Sequence, residues 1–69
     1  MVLVFKTNVE VITSADQITS ALMAEHPGYS INFALDDIDR ILRVEGTNLR
    51  SEEIISYLDQ KGYSCVELA

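Results

Sequence analysis

Sixty-nine residues make one domain, spanning 1–69, with no room for a second. A hydrophobic share of 48%, rich in Ile, Leu and Val, excludes disorder. Five basic residues against eleven acidic ones give a formal charge of −6, which argues against a nucleic-acid partner and against an anionic membrane surface.

The single cysteine, Cys65, rules out an internal disulfide and with it the disulfide-dense secreted class. The N-terminal run MVLVFKTNV has no basic leading region and no small-residue cleavage site, and it is too short to span a bilayer. The expected location is cytoplasmic, for a whole protein or a domain of a larger one. An acidic surface suits a basic protein partner or simple solubility.

Val2 to Lys6 is a β-branched and aromatic run and predicts a strand. Leu3 and Phe5 share one face, Val2 and Val4 the other, so apolar residues on both faces predict a central position. Thr7 to Thr13 is the connection, and it is unusually apolar. A helix is expected to begin at Ser14, because Ser14-Ala15-Asp16-Gln17 has the form of a capping box and Asp16 would complement the dipole of the first turn. Ala15, Ile18 and Leu22 form its apolar stripe, with Ala21 beside them. Pro27 disfavours a helical His26, so the helix should end near Glu25.

Tyr29 to Gly46 reads as two strands folded back on a tight acidic turn. Ile31, Phe33 and Leu35 alternate with Ser30, Asn32 and Ala34; Leu42 and Val44 alternate with Ile41, Arg43 and Glu45. Asp36, Asp37 and Asp39 lie at the turn, where Asp bonds the local backbone. A second helix should run from about Arg50 to Lys61, with Glu52 and Glu53 in its first turn and Lys61 in its last. Ile54, Ile55 and Leu58 are its stripe, and Gly62 suits the position just past its end. Ser64 to Leu68 closes the chain as an edge strand.

Each helix has one apolar stripe to bury, so both should cover the same face of a four-stranded antiparallel sheet. The fold class predicted is α+β, a ferredoxin-like βαββαβ sandwich with the first and third strands in the centre.

Ile18-Thr-Ser-Ala-Leu22, Arg43-Val44-Glu45-Gly46, Glu53-Ile54-Ile55 and Lys61-Gly62-Tyr63, in that order and spacing, resemble the heavy-metal-associated (HMA) domain of small copper chaperones and metal-pumping ATPases. The resemblance covers nearly the whole chain. It implies a Met-x-Cys-x-x-Cys stretch between the first strand and the first helix, where two thiolates hold a soft cation such as Cu(I). The matching positions here are Val9, Val11 and Ser14, and no cysteine enters at any offset. The resemblance therefore carries the fold but not the metal site, and no cofactor is expected.

Other donors do not cluster in the sequence. Met23, His26 and Cys65 read as a packing residue, a helix-end residue and a small strand residue. Asp36, Asp37 and Asp39 are oxygen donors of the kind Ca²⁺ or Mg²⁺ takes, but the EF-hand Gly and Glu are missing, so a solvated turn is the expectation. Ser14 has no nucleophile partner pattern, and Ser at a helix cap already has a structural use. Acylphosphatases share the topology but need an Arg in the first loop, and Thr7 to Thr13 has none. No enzyme is expected. Two readings stay open for Val9, Val11 and Ile12: a staple from the helix start to the core, or a contact surface for another protein.

Three functions follow as expectations. The preferred one is a degenerate HMA-like domain without the cysteine site, acting as a protein-interaction or accessory module, monomeric or weakly dimeric. The second is a metal-binding or metal-transport protein with unorthodox ligands, needing Cys65 or His26. The third is an ACT-like regulatory domain that binds a small molecule on dimerising through the open sheet face, where Ile41 and Cys65 would sit; against it, the first loop lacks the glycine that such domains often carry.

Overall fold

The computed structural model describes residues 1–68. In chain order the elements are β1 (Val2–Thr7), α1 (Ile12–Glu25), β2 (Ser30–Ala34), β3 (Ile41–Glu45), α2 (Ser51–Gln60) and β4 (Cys65–Leu68). The strands form one antiparallel sheet in the order β2-β3-β1-β4. β1 and β3 hold the centre, as the right-handed crossovers predict.

The register explains the layering. Phe5 pairs with Leu42 and Leu3 with Val44 across β1 and β3, while Ile31 pairs with Val44 and Phe33 with Leu42 across β2 and β3. Opposed residues of an antiparallel pair point to the same face, so these side chains form one apolar layer. Ala15, Ile18 and Leu22 of α1 and Ile54 and Leu58 of α2 close over it, and all of them belong to one buried cluster. The stripe read for α1 is the one that is buried; of the α2 stripe Ile54 and Leu58 are buried, while Ile55 is only partly so. The other face of the sheet, bearing Val2, Lys6, Arg43, Glu45, Ser30 and Asn32, stays exposed.

Helix α1 starts earlier than the capping box predicts. Val11, not Ser14, is the N-cap, with φ −102° and ψ 129°, and no side chain caps the helix. Ser14 and Gln17 are interior helix positions, and the first turn carries no acid, so Asp16 does not play the dipole role. The physical reason lies just upstream. Val9 is fully buried, which brings the chain against the core before Val11, and from there the helix can propagate at once. Tertiary anchoring replaces the side-chain cap.

Both helix ends follow local rules. Helix α1 stops at Glu25, and His26, preceding Pro27, leaves the helical region at φ −131° and ψ 76°. Helix α2 stops at Gln60 with Lys61 as C-cap, so Lys61 lies one position past the last turn. Gly62 adopts φ +89°, its N–H donates to the Asp59 carbonyl at 3.0 Å, and the Tyr63 N–H donates to the Leu58 carbonyl at 2.9 Å. That pair of bonds is a Schellman motif, and the left-handed backbone at its centre is why glycine stands there.

Two further expectations are corrected. The β2–β3 connection is not a tight turn: it runs from residue 35 to residue 40, and Leu35 lies outside the strand. Two successive turns build it, closed by Asp37 N–H to Ala34 O at 3.2 Å and Arg40 N–H to Asp37 O at 3.1 Å, with Arg40 left-handed at φ 45°. Three aspartates each favouring a local turn make the longer connection. Cys65 does not face the open side with Ile41. It pairs with Thr7 on the core side and is buried, whereas Ile41 is on the open side.

Candidate functional site

The segment that the HMA resemblance singles out begins where β1 ends. Thr7, expected in the connection, is the last residue of β1 and the one buried polar side chain of the described core. Its hydroxyl donates to the Arg40 carbonyl at 2.6 Å and accepts the Val9 N–H at 3.3 Å. Its own N–H donates to the Asp39 carbonyl at 3.1 Å. A threonine here satisfies a buried donor and a buried acceptor at once, so the loop after β1 is tied to the acidic turn after β2. From the other side, Asn8 Oδ1 accepts the Ser64 N–H at 2.9 Å. Lys6 Nζ lies 3.6 Å from Asp39 Oδ1, an exposed pair of little energetic weight.

The three candidate contact residues then separate. Val9 is 0% exposed and belongs to the core, so it presents no surface to a partner. Val11 and Ile12 are 57% and 67% exposed at the helix start. The staple reading describes Val9; the exposed-surface reading describes Val11 and Ile12. Ser14 is partly buried inside α1.

The remaining donors are not brought together. Met23 lies exposed on α1, and Cys65 lies buried on β4. His26 stacks on Tyr29 with ring centroids 4.4 Å apart, and its Nε2 is 3.7 Å from Glu53 Oε2. That stack packs the helix end against the β2 entry, a structural use for the only histidine. Among the described residues, no group of three or more His, Cys, Asp or Glu side chains is arranged to hold a metal ion. Burial pushes the Cys65 thiol up to about 11, away from the thiolate that soft-metal binding needs.

At the acidic turn, Asp37 Oδ1 accepts the Asp39 N–H at 2.8 Å, the local role expected of aspartate there. Arg40 Nη1 donates to the Asp37 carbonyl at 2.9 Å, an exposed bond across the turn. The structure adds one residue that the sequence reading passed over. Ile38, between Asp37 and Asp39, is 91% exposed. An isoleucine inside a run of turn-forming aspartates was the available signal.

No helix among the described residues is long and apolar enough to cross a membrane. No protein-family model matches the chain, and no curated protein or solved structure matches it either.

Proposed function

We propose that the chain is a metal-free relative of the heavy-metal-associated domain, with the ferredoxin-like fold, working in the cytoplasm as a small protein-interaction module rather than as an enzyme. The element order and the strand order β2-β3-β1-β4 support the fold reading. One observation carries the functional reading. Where the resemblance calls for a methionine the chain has a buried valine, Val9, and where it calls for the first thiolate it has Val11, exposed beside Ile12 at the start of α1, just past the Thr7 to Val9 hydrogen bond. Grouped apolar side chains on a fixed backbone suit a protein contact, since little conformational entropy is lost on docking.

The test has two arms. Reduced, isotope-labelled protein is titrated with Cu(I) and then Zn(II), and amide shifts are followed residue by residue. The expected outcome is no saturable shift at residues 9–14, His26 or Cys65; a nanomolar Cu(I) site would overturn the reading. In the second arm, the double variant Val11→Ser, Ile12→Ser is compared with wild type for retention of a cellular partner. Loss of a partner by a variant of unchanged stability is expected, and retention would sink the assignment of that surface.

A further inference from the structure

The two edges of the sheet are built differently. At one edge, β4 is four residues long and carries Glu67, a charge of the kind that discourages further pairing. At the other, β2 is Ser30-Ile31-Asn32-Phe33-Ala34, with no charged residue and no proline. Its pairing with β3 runs residue for residue from Ser30↔Glu45 to Ala34↔Ile41, without a bulge. Within those five residues there is no charge, proline or bulge to block pairing, although Pro27 and Asp36 stand just beyond its ends.

The ground beside that edge is also open. A groove of about 380 Å³ runs between α1 and β2, with Ile12, Ala15, Asp16 and Thr19 on the helix and Ile31, Asn32, Phe33, Leu35 and Asp36 on the strand side. Phe33 and Leu35 are only half-buried there, and Ile12 is among the most exposed apolar side chains of the described chain. An open edge supplies backbone hydrogen bonds, and the apolar floor of the groove next to it, Ile31 and Phe33, receives alternate side chains of an added strand.

We propose that β2 is a self-association edge, pairing antiparallel with β2 of a second copy about a two-fold axis through Asn32. The sequence of β2 is what selects a second copy as the occupant. Reversed about Asn32, it keeps its alternation: Ser30 meets Ala34 of the second copy, and Ile31 meets Phe33. The apolar residues of both copies then lie on the helix-covered side, in register, as β-branched and aromatic cross-strand pairs. Asn32 meets Asn32, and Asp36 meets Gly28 rather than another carboxylate. β2 itself adds no charge to the line of contact, while Asp16 and Asp36 of each copy stand beside it and each chain carries −6. That repulsion is screened by salt, so association strengthens as ionic strength rises. The pairing makes one continuous sheet across both copies and buries Ile12 at the helix-to-helix seam. The inference goes beyond the proposed function and stands without it, since a copper-binding chain would carry the same edge.

The test is a charge-swap at the two-fold position. Sedimentation is measured across concentration and salt for wild type, Asn32→Lys, Asn32→Asp and their equimolar mixture. Asn32 is exposed, so both variants should fold, and Ser56→Lys on α2 serves as a charge-matched control. Each variant alone is expected to dimerise about tenfold more weakly, the mixture to regain a heterodimer, and the control to match wild type. Hydrogen exchange supplies a second readout: amides of residues 30–34 should slow as the wild type associates. A wild type that stays monomeric at millimolar concentration and high salt overturns the proposal. So does a dimer that ignores both substitutions, or one that leaves those amides unprotected, as contact through the open face would.

Discussion

Val9 and Val11 are the same residue two positions apart, and they have opposite fates. Val9 is sealed in the core under the hydroxyl of Thr7, while Val11 stands exposed at the start of α1 beside Ile12. What separates them is which residue the chain inserts between sheet and helix as it crosses over. Burial at Val9 fixes the loop and starts the helix; exposure at Val11 leaves an apolar surface on that fixed loop. Side-chain type alone therefore says little about role here, and position relative to the Thr7 anchor says much.

The contrast can be broken most strongly at Val9. Val9→Ala leaves a cavity in a packed core and should cost about 2 kcal/mol, read as a fall in the urea midpoint, whereas Val11→Ala should stay within about 0.5 kcal/mol. Equal effects at the two positions would erase the distinction. Thr7→Val keeps the shape but strands the Arg40 carbonyl and the Val9 N–H, and should cost on the order of 1–2 kcal/mol. The amide of Val9 should then exchange faster while that of Leu58 keeps its relative protection.

A smaller effect comes from Cys65, buried on the same side of the sheet as Thr7. Its folded pKa, about 11, lies above the ordinary 9.0 because burial disfavours the thiolate. The folded state therefore holds the proton that the unfolded state releases. Stability from this group is complete below pH 9.0 and is lost as pH rises towards 11. Compared with Cys65→Ala, the wild type should lose on the order of 1 kcal/mol more over that window, measured by urea unfolding. Parallel pH profiles for the two proteins would contradict this. Smallest of all, Ser14→Ala should change stability by less than about 0.5 kcal/mol, because Ser14 lies inside α1 and caps nothing. A loss near 1 kcal/mol would restore the capping-box reading.

Much of the molecule is legible in its residues, and unevenly so. The stripes Ala15-Ile18-Leu22 and Ile54-Leu58 follow from helical spacing, and the inward set Ile31, Leu42 and Val44 from strict alternation. The absence of the motif's methionine at residue 9 and of its thiols at residues 11 and 14 needs no structure at all. By contrast, Ser14-Ala-Asp-Gln17 has every local feature of a helix start and is not one. Its cap energy, about 1 kcal/mol, is smaller than the gain from burying Val9 three residues before the helix begins. The acidic turn misled in a similar way, since three adjacent aspartates stabilise more than one turn geometry.

The sequence by itself determined the six elements, their order, which residues share a face, the central place of β1 and β3, and the end of α1 at Glu25, with the end of α2 read one residue late, at Lys61. These depend on periodicity, on Pro27 and on Gly62, all of which act through neighbours in the chain. Only the tertiary structure decided that α1 begins at Ile12, that Val9 is core and Val11 surface, and that Cys65 faces the helices. Those outcomes depend on which residue first meets the core and on which side of the sheet each strand end turns. Both are fixed by contacts between segments far apart in the chain, where a period of two says which residues share a face but not which face is buried.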